Sequence, residues 1–421
     1  MSIGRLTTEC KRDRNMLVTL IPLFDEKMSV CAYSLFTRKK NFFLLPSLLG
    51  TGANDGASHI AGVEVIQSIG LETILTDKEI FVPINNIAIF SDVLEQSEIP
   101  SGQVVLLMDT SIEPEKMYIS RLGELKKQGY KLAIRKLMVS DFEAYREILL
   151  LMDYILLDDK KIEISKAKIY FNKLYPNLKI CAGNIQTQEI YDALVKEGGY
   201  QLYEGEFYRM PVTKGETEVT PIKANYIELL NMVNADDFEL TRAADIIGRD
   251  TALVISLLKM VNRMAVNSEI TSIRHAAAML GQRELRKWIN TALAGELYAD
   301  KPNEITRLSL LRAKFAENLA PTFSLSLQAS ELFLMGLFSV LDLAFSEPMA
   351  DALKRVKVSK EIEDALVRNK GIFAPVLEFI HYYERADWQE VSRLMVLKNI
   401  DLENVYQAYI QTLQWYRDLF S

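Results

Sequence analysis

The stretch that decides the fold is Val104-Val-Leu-Leu-Met108, then Pro114 to Lys127, Gly129 and Lys131-Leu-Ala-Ile134. A short run that is apolar throughout needs cover on both faces, as a strand of a parallel sheet has. Behind it, Pro114 stands near the first turn of a helical segment, and Gly129 just past its end. The spacing predicts strand, helix, strand. The cadence continues through a helix from about Asp141, Tyr154-Ile-Leu-Leu157, a helix, Lys179-Ile-Cys-Ala182, a helix from Thr187, and Tyr200-Gln-Leu-Tyr203. From Met16 to Pro211 this alternation predicts an α/β domain closed as a TIM-like (β/α) barrel.

Past Pro211 the pattern changes. Residues 212–221 are polar, without apolar period, and read as a linker. Leu240, Ala243, Ala244 and Ile247, then Leu253, Leu257, Met260 and Val261, keep helical spacing, with Asp250 where a helix N-cap is wanted. Residues 222–421 therefore read as an all-helical domain, broken near Pro302, Pro321, Pro348 and Gly371. The greasiest run, Leu332 to Leu341, is too short for a bilayer that needs about 20 residues, and reads as a buried core helix. Residues 1–15 form a polar segment lacking the apolar centre of an export signal.

The 421 residues, 49% hydrophobic and 25% charged, suit two or three globular domains. A net charge of -7 gives no general attraction to nucleic acid or anionic lipid. Cys10, Cys31 and Cys181 are odd in number and lack metal-knuckle spacing, as idle thiols in a reducing cytoplasm would. His59, His275 and His381 are isolated, and none precedes an Asp, so the clustered ligands of an HD-type metal phosphohydrolase are missing. Trp388, Trp415, Tyr382, Tyr383 and Tyr416 are expected to pack helices together rather than to form an exposed face. Lys354-Arg-Val-Lys357, Arg368 and Lys370 are expected to be a solvated face.

Ile21-Pro-Leu-Phe-Asp25 and Val30-Cys-Ala-Tyr-Ser-Leu-Phe-Thr-Arg38 resemble the opening of the EAL domain, the cyclic di-GMP phosphodiesterase fold. Ala243-Ala-Asp-Ile-Ile247, Asp250, Leu257-Leu-Lys-Met-Val-Asn262, Ser272-Ile-Arg-His-Ala276 and Leu280-Gly281 resemble the HDOD domain. Phe333 to Asp342 and Tyr382 to Trp388 resemble the tail of EAL and HDOD fusions. The resemblance implies an EAL-type barrel over 16–211 followed by an HDOD domain over 222–421.

In that family, active members hold Mg or Mn on carboxylates and an Asn at the C-terminal ends of the barrel strands. The resemblance places other residues at those positions: Ser34, Pro83, Leu107, the adjacent pair Arg135 and Lys136, Leu156, Gly183 and, for a terminal Gln, Glu204. Asp158, after Leu156, persists. Two cations in place of two anionic ligands would repel a divalent ion, by roughly 4 kcal/mol per unit charge product at 4 Å and an effective dielectric near 20. The expectation is a catalytically inactive protein, without metal or cofactor, that binds other signalling proteins in bacterial signal transduction. Relatives of the barrel often form homodimers. A second reading keeps Arg38, at the position of the motif's phosphate-contacting Arg, for a non-hydrolysing cyclic di-GMP receptor; a third keeps residual phosphodiesterase activity. Neither a membrane nor nucleic acid is an expected partner.

Overall fold

Eight strands close in sequence order into a barrel: β1 (Met16–Phe24), β2 (Val30–Lys39), β3 (Glu79–Pro83), β4 (Val104–Met108), β5 (Lys131–Arg135), β6 (Tyr154–Asp158), β7 (Lys179–Ile185) and β8 (Leu202–Gly205). The structure is a computed structural model, and it describes residues 16–39, 78–91, 101–211, 221–235, 238–248, 250–264 and 270–420. The expected 1–15 segment, His59, Cys10 and most of the 212–221 linker lie outside the described residues. From β2 to β8 neighbouring strands run parallel, while β1 is antiparallel to both its neighbours. β1 pairs with β2 from Met16↔Lys39 to Phe24↔Val30, but with β8 only through Phe24↔Tyr203. The barrel is therefore zipped along one side of β1 and pinned at a single register pair on the other.

Alternation sets what fills the interior. Leu23, Ala32, Phe81, Val105, Leu107, Ala133, Tyr154, Leu156, Cys181 and Leu202 form one buried cluster, each at an inward position of its strand. A fully buried Leu or Phe contributes about 1.5–3 kcal/mol. At the N-terminal end of the barrel, Glu79 accepts hydrogen bonds from Lys131 and from the Tyr154 hydroxyl, which also accepts from Lys179 at 3.2 Å. These polar groups close that end, with Lys131 paired to Glu79 and Lys179 held on the Tyr154 hydroxyl and ring.

The helices between the strands are α1 (Lys116–Lys127), α2 (Arg146–Leu149), α3 (Ile164–Leu174) and α4 (Gln188–Glu197). α1 ends at Gly129, whose φ of 92° suits only glycine, and α4 begins after Thr187, whose side chain accepts from the Ile190 N–H. The helix expected from about Asp141 is instead a 3-10 turn, Val139–Asp141, followed by the short α2. The reason is local: the Asp141 carboxylate accepts from the Met138 N–H and holds a turn in place of a first helical turn.

The remaining elements are α5 (Pro221–Val233), α6 (Leu240–Ile247), α7 (Thr251–Met264), α8 (Ile273–Leu297), α9 (Asn303–Leu319), α10 (Ala329–Phe338), α11 (Leu341–Phe345), α12 (Met349–Ala352), α13 (Lys360–Arg368), α14 (Ala374–Glu384), α15 (Trp388–Lys398) and α16 (Leu402–Phe420). Asp250 caps α7 through the Leu253 N–H, and Ser272 caps α8 through the His275 N–H. The apolar run after Glu331 is buried as expected, although Val340 interrupts it and divides it between α10 and α11. None of the described helices is long and apolar enough to cross a membrane.

The chain divides into two compact units, and their limits differ from the expected domain limits. One comprises the barrel up to Met210, Pro321–Leu325 and the segment from Glu378 onward; the other comprises Pro211–Ala320 and Ser326–Leu377. The expectation of one helical domain over 222–421 is therefore corrected at its end: α15, α16 and most of α14 belong with the barrel. Their aromatic residues supply the cause. The Tyr383 hydroxyl accepts a 3.3 Å hydrogen bond from the Val18 N–H, and the hydroxyls of Thr19 and Tyr409 lie 3.4 Å apart. Tyr383 packs against Trp388 and Tyr409, with ring centroids 5.4 and 5.0 Å away. These rings line the side of β1 that β8 leaves without a ladder.

Candidate functional site

The C-terminal ends of β2 to β8 form a mouth, and β5 delivers its most consequential side chain. Arg135 is the last residue of β5 and points inward by the alternation that buries Ala133. Its guanidinium crosses to β2, where it lies 4.8 Å from the Phe36 ring centroid. Burial pushes the Arg135 pKa down, while the Glu204 and Asp109 charges hold it up. Glu204, on β8, is pushed the other way: burial raises its pKa, Arg135 opposes that, and Asp158 adds to it. The Arg135 guanidinium thus lies in the field of both Glu204 and Asp109.

Lys136 follows a different course. Its backbone is left-handed (φ 64°), unusual for a residue with a Cβ. The side chain is half-exposed, and its ammonium donates to Asp109 Oδ2 at 2.7 Å. Burial would raise the Asp109 pKa, but the hydrogen bonds from Lys136 and Ser111 outweigh it, and the carboxyl titrates at about 2. The two adjacent cations therefore both act on Asp109, Lys136 through a hydrogen bond and Arg135 through its field.

The other positions scatter along the barrel axis. Ser34 is fully buried in β2, and its hydroxyl has no partner among the described residues. Leu107 and Leu156 are part of the interior cluster, and Pro83 ends β3. Gly183 lies in β7 opposite Asp158, where an added Cβ would sit 3.0 Å from the Leu157 carbonyl oxygen. Asp158 accepts from Asn184 Nδ2 at 3.0 Å and lies 3.5 Å from Lys161. Arg38 is exposed near the end of β2, two residues past Phe36 on the same face of the strand.

Phe36, Asp109 and Asn184 are the mouth residues that sequence reasoning missed. Asp109 had a signal, since it immediately follows the apolar run that predicts β4. Phe36 had none, because only the closed barrel brings β2 opposite β5.

Mg or Mn does not fit this mouth. Arg135 brings a cation into the field of Glu204 and Asp109, and Ser34, Leu107, Leu156 and Gly183 bring no anionic donor. Among the described residues, no three His, Cys, Asp or Glu side chains converge on a possible ion position.

Comparison with known proteins places these features among relatives. Residues 219–370 match the HDOD domain family. The uncharacterized protein YuxH of Bacillus subtilis is 28% identical over 417 residues, covering 95% of this chain and 98% of that protein. The cyclic di-GMP phosphodiesterase CdgJ of Vibrio cholerae is 24% identical over 408 residues, covering 94% and 91%. Among solved structures, the EAL enzyme Bd1971 with cAMP and cyclic di-GMP bound matches at 12% identity with a TM-score of 0.37, covering 47% of this chain and 62% of that one.

Proposed function

We propose, for a chain that joins an EAL-like barrel to an HDOD domain, that it serves cyclic di-GMP signalling by binding other signalling proteins and does not hydrolyse the nucleotide. The observation that carries this reading is the position of Arg135. A guanidinium fixed between Phe36 and the field of Glu204 and Asp109 supplies the charge that a divalent ion would otherwise supply. It has no exchangeable water to turn into a nucleophile. Full-length similarity to a protein named as a cyclic di-GMP phosphodiesterase supports the signalling context.

A second reading, a non-hydrolysing receptor, draws support from exposed Arg38 at the mouth end of β2. Against it stands the charge balance, since Lys136 is paired with Asp109 and Arg135 faces carboxylates, which leaves little positive field for a dianionic ligand. Titration calorimetry of the full chain with cyclic di-GMP, in calcium and again in EDTA, separates the two. No heat at high ligand concentration favours protein binding alone; micromolar affinity, about -8 kcal/mol, that Arg38→Ala abolishes favours the receptor. Linear product formed with Mg or Mn faster than in a buffer blank would overturn both.

A further inference from the structure

The helical unit contains a cavity of about 290 Å3 walled by α8, α9 and α10. Phe333 and Leu334 give it apolar lining, and Arg283, Arg286 and Lys287 give it positive charge, with the Lys287 ammonium 5.3 Å from the Phe333 ring centroid. The charges differ in how far they are satisfied. Lys287 donates to both oxygens of Glu317, at 2.8 and 2.7 Å, and Lys314 donates to the same carboxylate at 2.8 Å. Glu331, on the rim, accepts from the Ser359 hydroxyl at 2.6 Å. Arg286 is unlike these. Its guanidinium lies over the Phe238 ring at 5.4 Å, one terminal nitrogen donates to the Ala235 carbonyl at 3.3 Å, and its Nε is buried with no partner. Among the described residues no carboxylate pairs with it.

A kink builds this wall. Gly281 (φ 73°, ψ 172°) interrupts α8, which restarts at Gln282 with its side chain anchored on the Phe238 carbonyl. The restart puts Arg283, Arg286 and Lys287 on the first turn and a half of the new segment, facing the cavity.

We propose that this cavity binds one small organic oxyanion, a phosphate monoester or a carboxylate, with its anionic oxygens on Arg286 and Arg283 and its apolar body on Phe333 and Leu334. Three cations and two carboxylates line the cavity, so the net field favours an anion. The volume is near the lower limit of small-molecule pockets, about 300 Å3, which restricts the ligand to a single ring or a short chain. The inference is independent of the barrel and of the function proposed for it.

The test is titration calorimetry of the full chain with phenyl phosphate, benzoate, inorganic phosphate and phenol. Saturable binding of phenyl phosphate or benzoate, whichever is tighter naming the oxyanion, is expected, with no binding of phenol. Arg286→Gln should weaken it at least about tenfold, and Arg286→Lys less. Ser330→Trp, at an exposed rim position, keeps every charge and fills the entrance, so it should also abolish binding. Failure of both aryl anions to saturate at about 10 mM, or unchanged affinity in a folded Arg286→Gln chain, overturns the proposal. Should Arg286→Gln not fold, unchanged affinity in Ser330→Trp overturns it equally.

Discussion

Arg135 and Phe36 meet across the barrel mouth, guanidinium carbon to ring centroid 4.8 Å, although β3 and β4 lie between their strands. The contact fixes a long cationic side chain over the interior, where Glu204 and Asp109 share its field. A mobile surface arginine would be worth little to either carboxylate. A held and partly desolvated one is worth more, and its removal has a definite signature.

Arg135→Ala removes from half-buried Glu204 the cation in whose field it lies. Burial already raises the Glu204 pKa, and Arg135 is the influence that lowers it. A carboxyl with a raised folded pKa destabilises progressively as pH rises and it ionises. The variant should lose about 1–3 kcal/mol, more at pH 8 than at pH 5, and Glu204→Gln in the same chain should recover much of it. Urea denaturation at the two pH values reads this; a loss of equal size at both would contradict the pairing.

Lys136→Met tests the second pair. Asp109 is depressed to about 2 from 3.8, so its contribution is complete above about pH 4 and is lost as pH falls through about 2. The depression corresponds to about 2 kcal/mol at most, less because Lys136 is half-exposed and screened by solvent. Without the ammonium, the acid limb of the stability curve should be shallower between pH 4 and 2. Thermal denaturation across that window would show an unaltered slope if the bond contributes nothing.

Tyr383→Phe removes only the hydroxyl that receives the Val18 N–H, in a fully buried setting. The orphaned N–H should cost about 1–3 kcal/mol, with unchanged far-ultraviolet circular dichroism. Hydrogen exchange at the Val18 amide supplies the local readout, and should speed up relative to amides in β4.

Gly205→Ala should be severe. An added Cβ would fall inside the backbone of Ile185, where β8 ends against β7. A loss above about 3 kcal/mol, or no folded protein, is expected. Gly102→Ala meets nothing within 4 Å and serves as the tolerated control. Comparable melting temperatures for the two variants would refute the close approach.

The barrel was legible where one physical signal dominated. Apolar runs with turn residues at their ends found β4 through β8, because strands buried on both faces leave a composition that no amphipathic helix shares. The turn at Asp141 was not legible, because a carboxylate that caps a helix and one that closes its own turn look alike in sequence. Arg135 and Glu204 could be named from the resemblance, and they lie at the mouth; their relation through Phe36 depends on barrel closure, which no local pattern records. Tyr383 and Trp388 read correctly as packing residues. Which elements they pack could not be read, since α14 to α16 have the same helical period whether they cover other helices or a strand.

The division of the barrel unit between distant parts of the chain has a consequence for synthesis. β8 ends at Gly205, whereas α16, which completes the cover of β1, begins at Leu402. At translation rates of about 5–20 residues per second, the roughly 200 intervening residues take about 10–40 s to emerge. Until Tyr383 and then Tyr409 emerge the strands of the barrel are complete, yet Val18 and Thr19 lack their tyrosine partners, and an incompletely paired strand edge invites association with other nascent chains. Within these residues the barrel strands are made before the helical unit, and the helices that cover β1 are made after it.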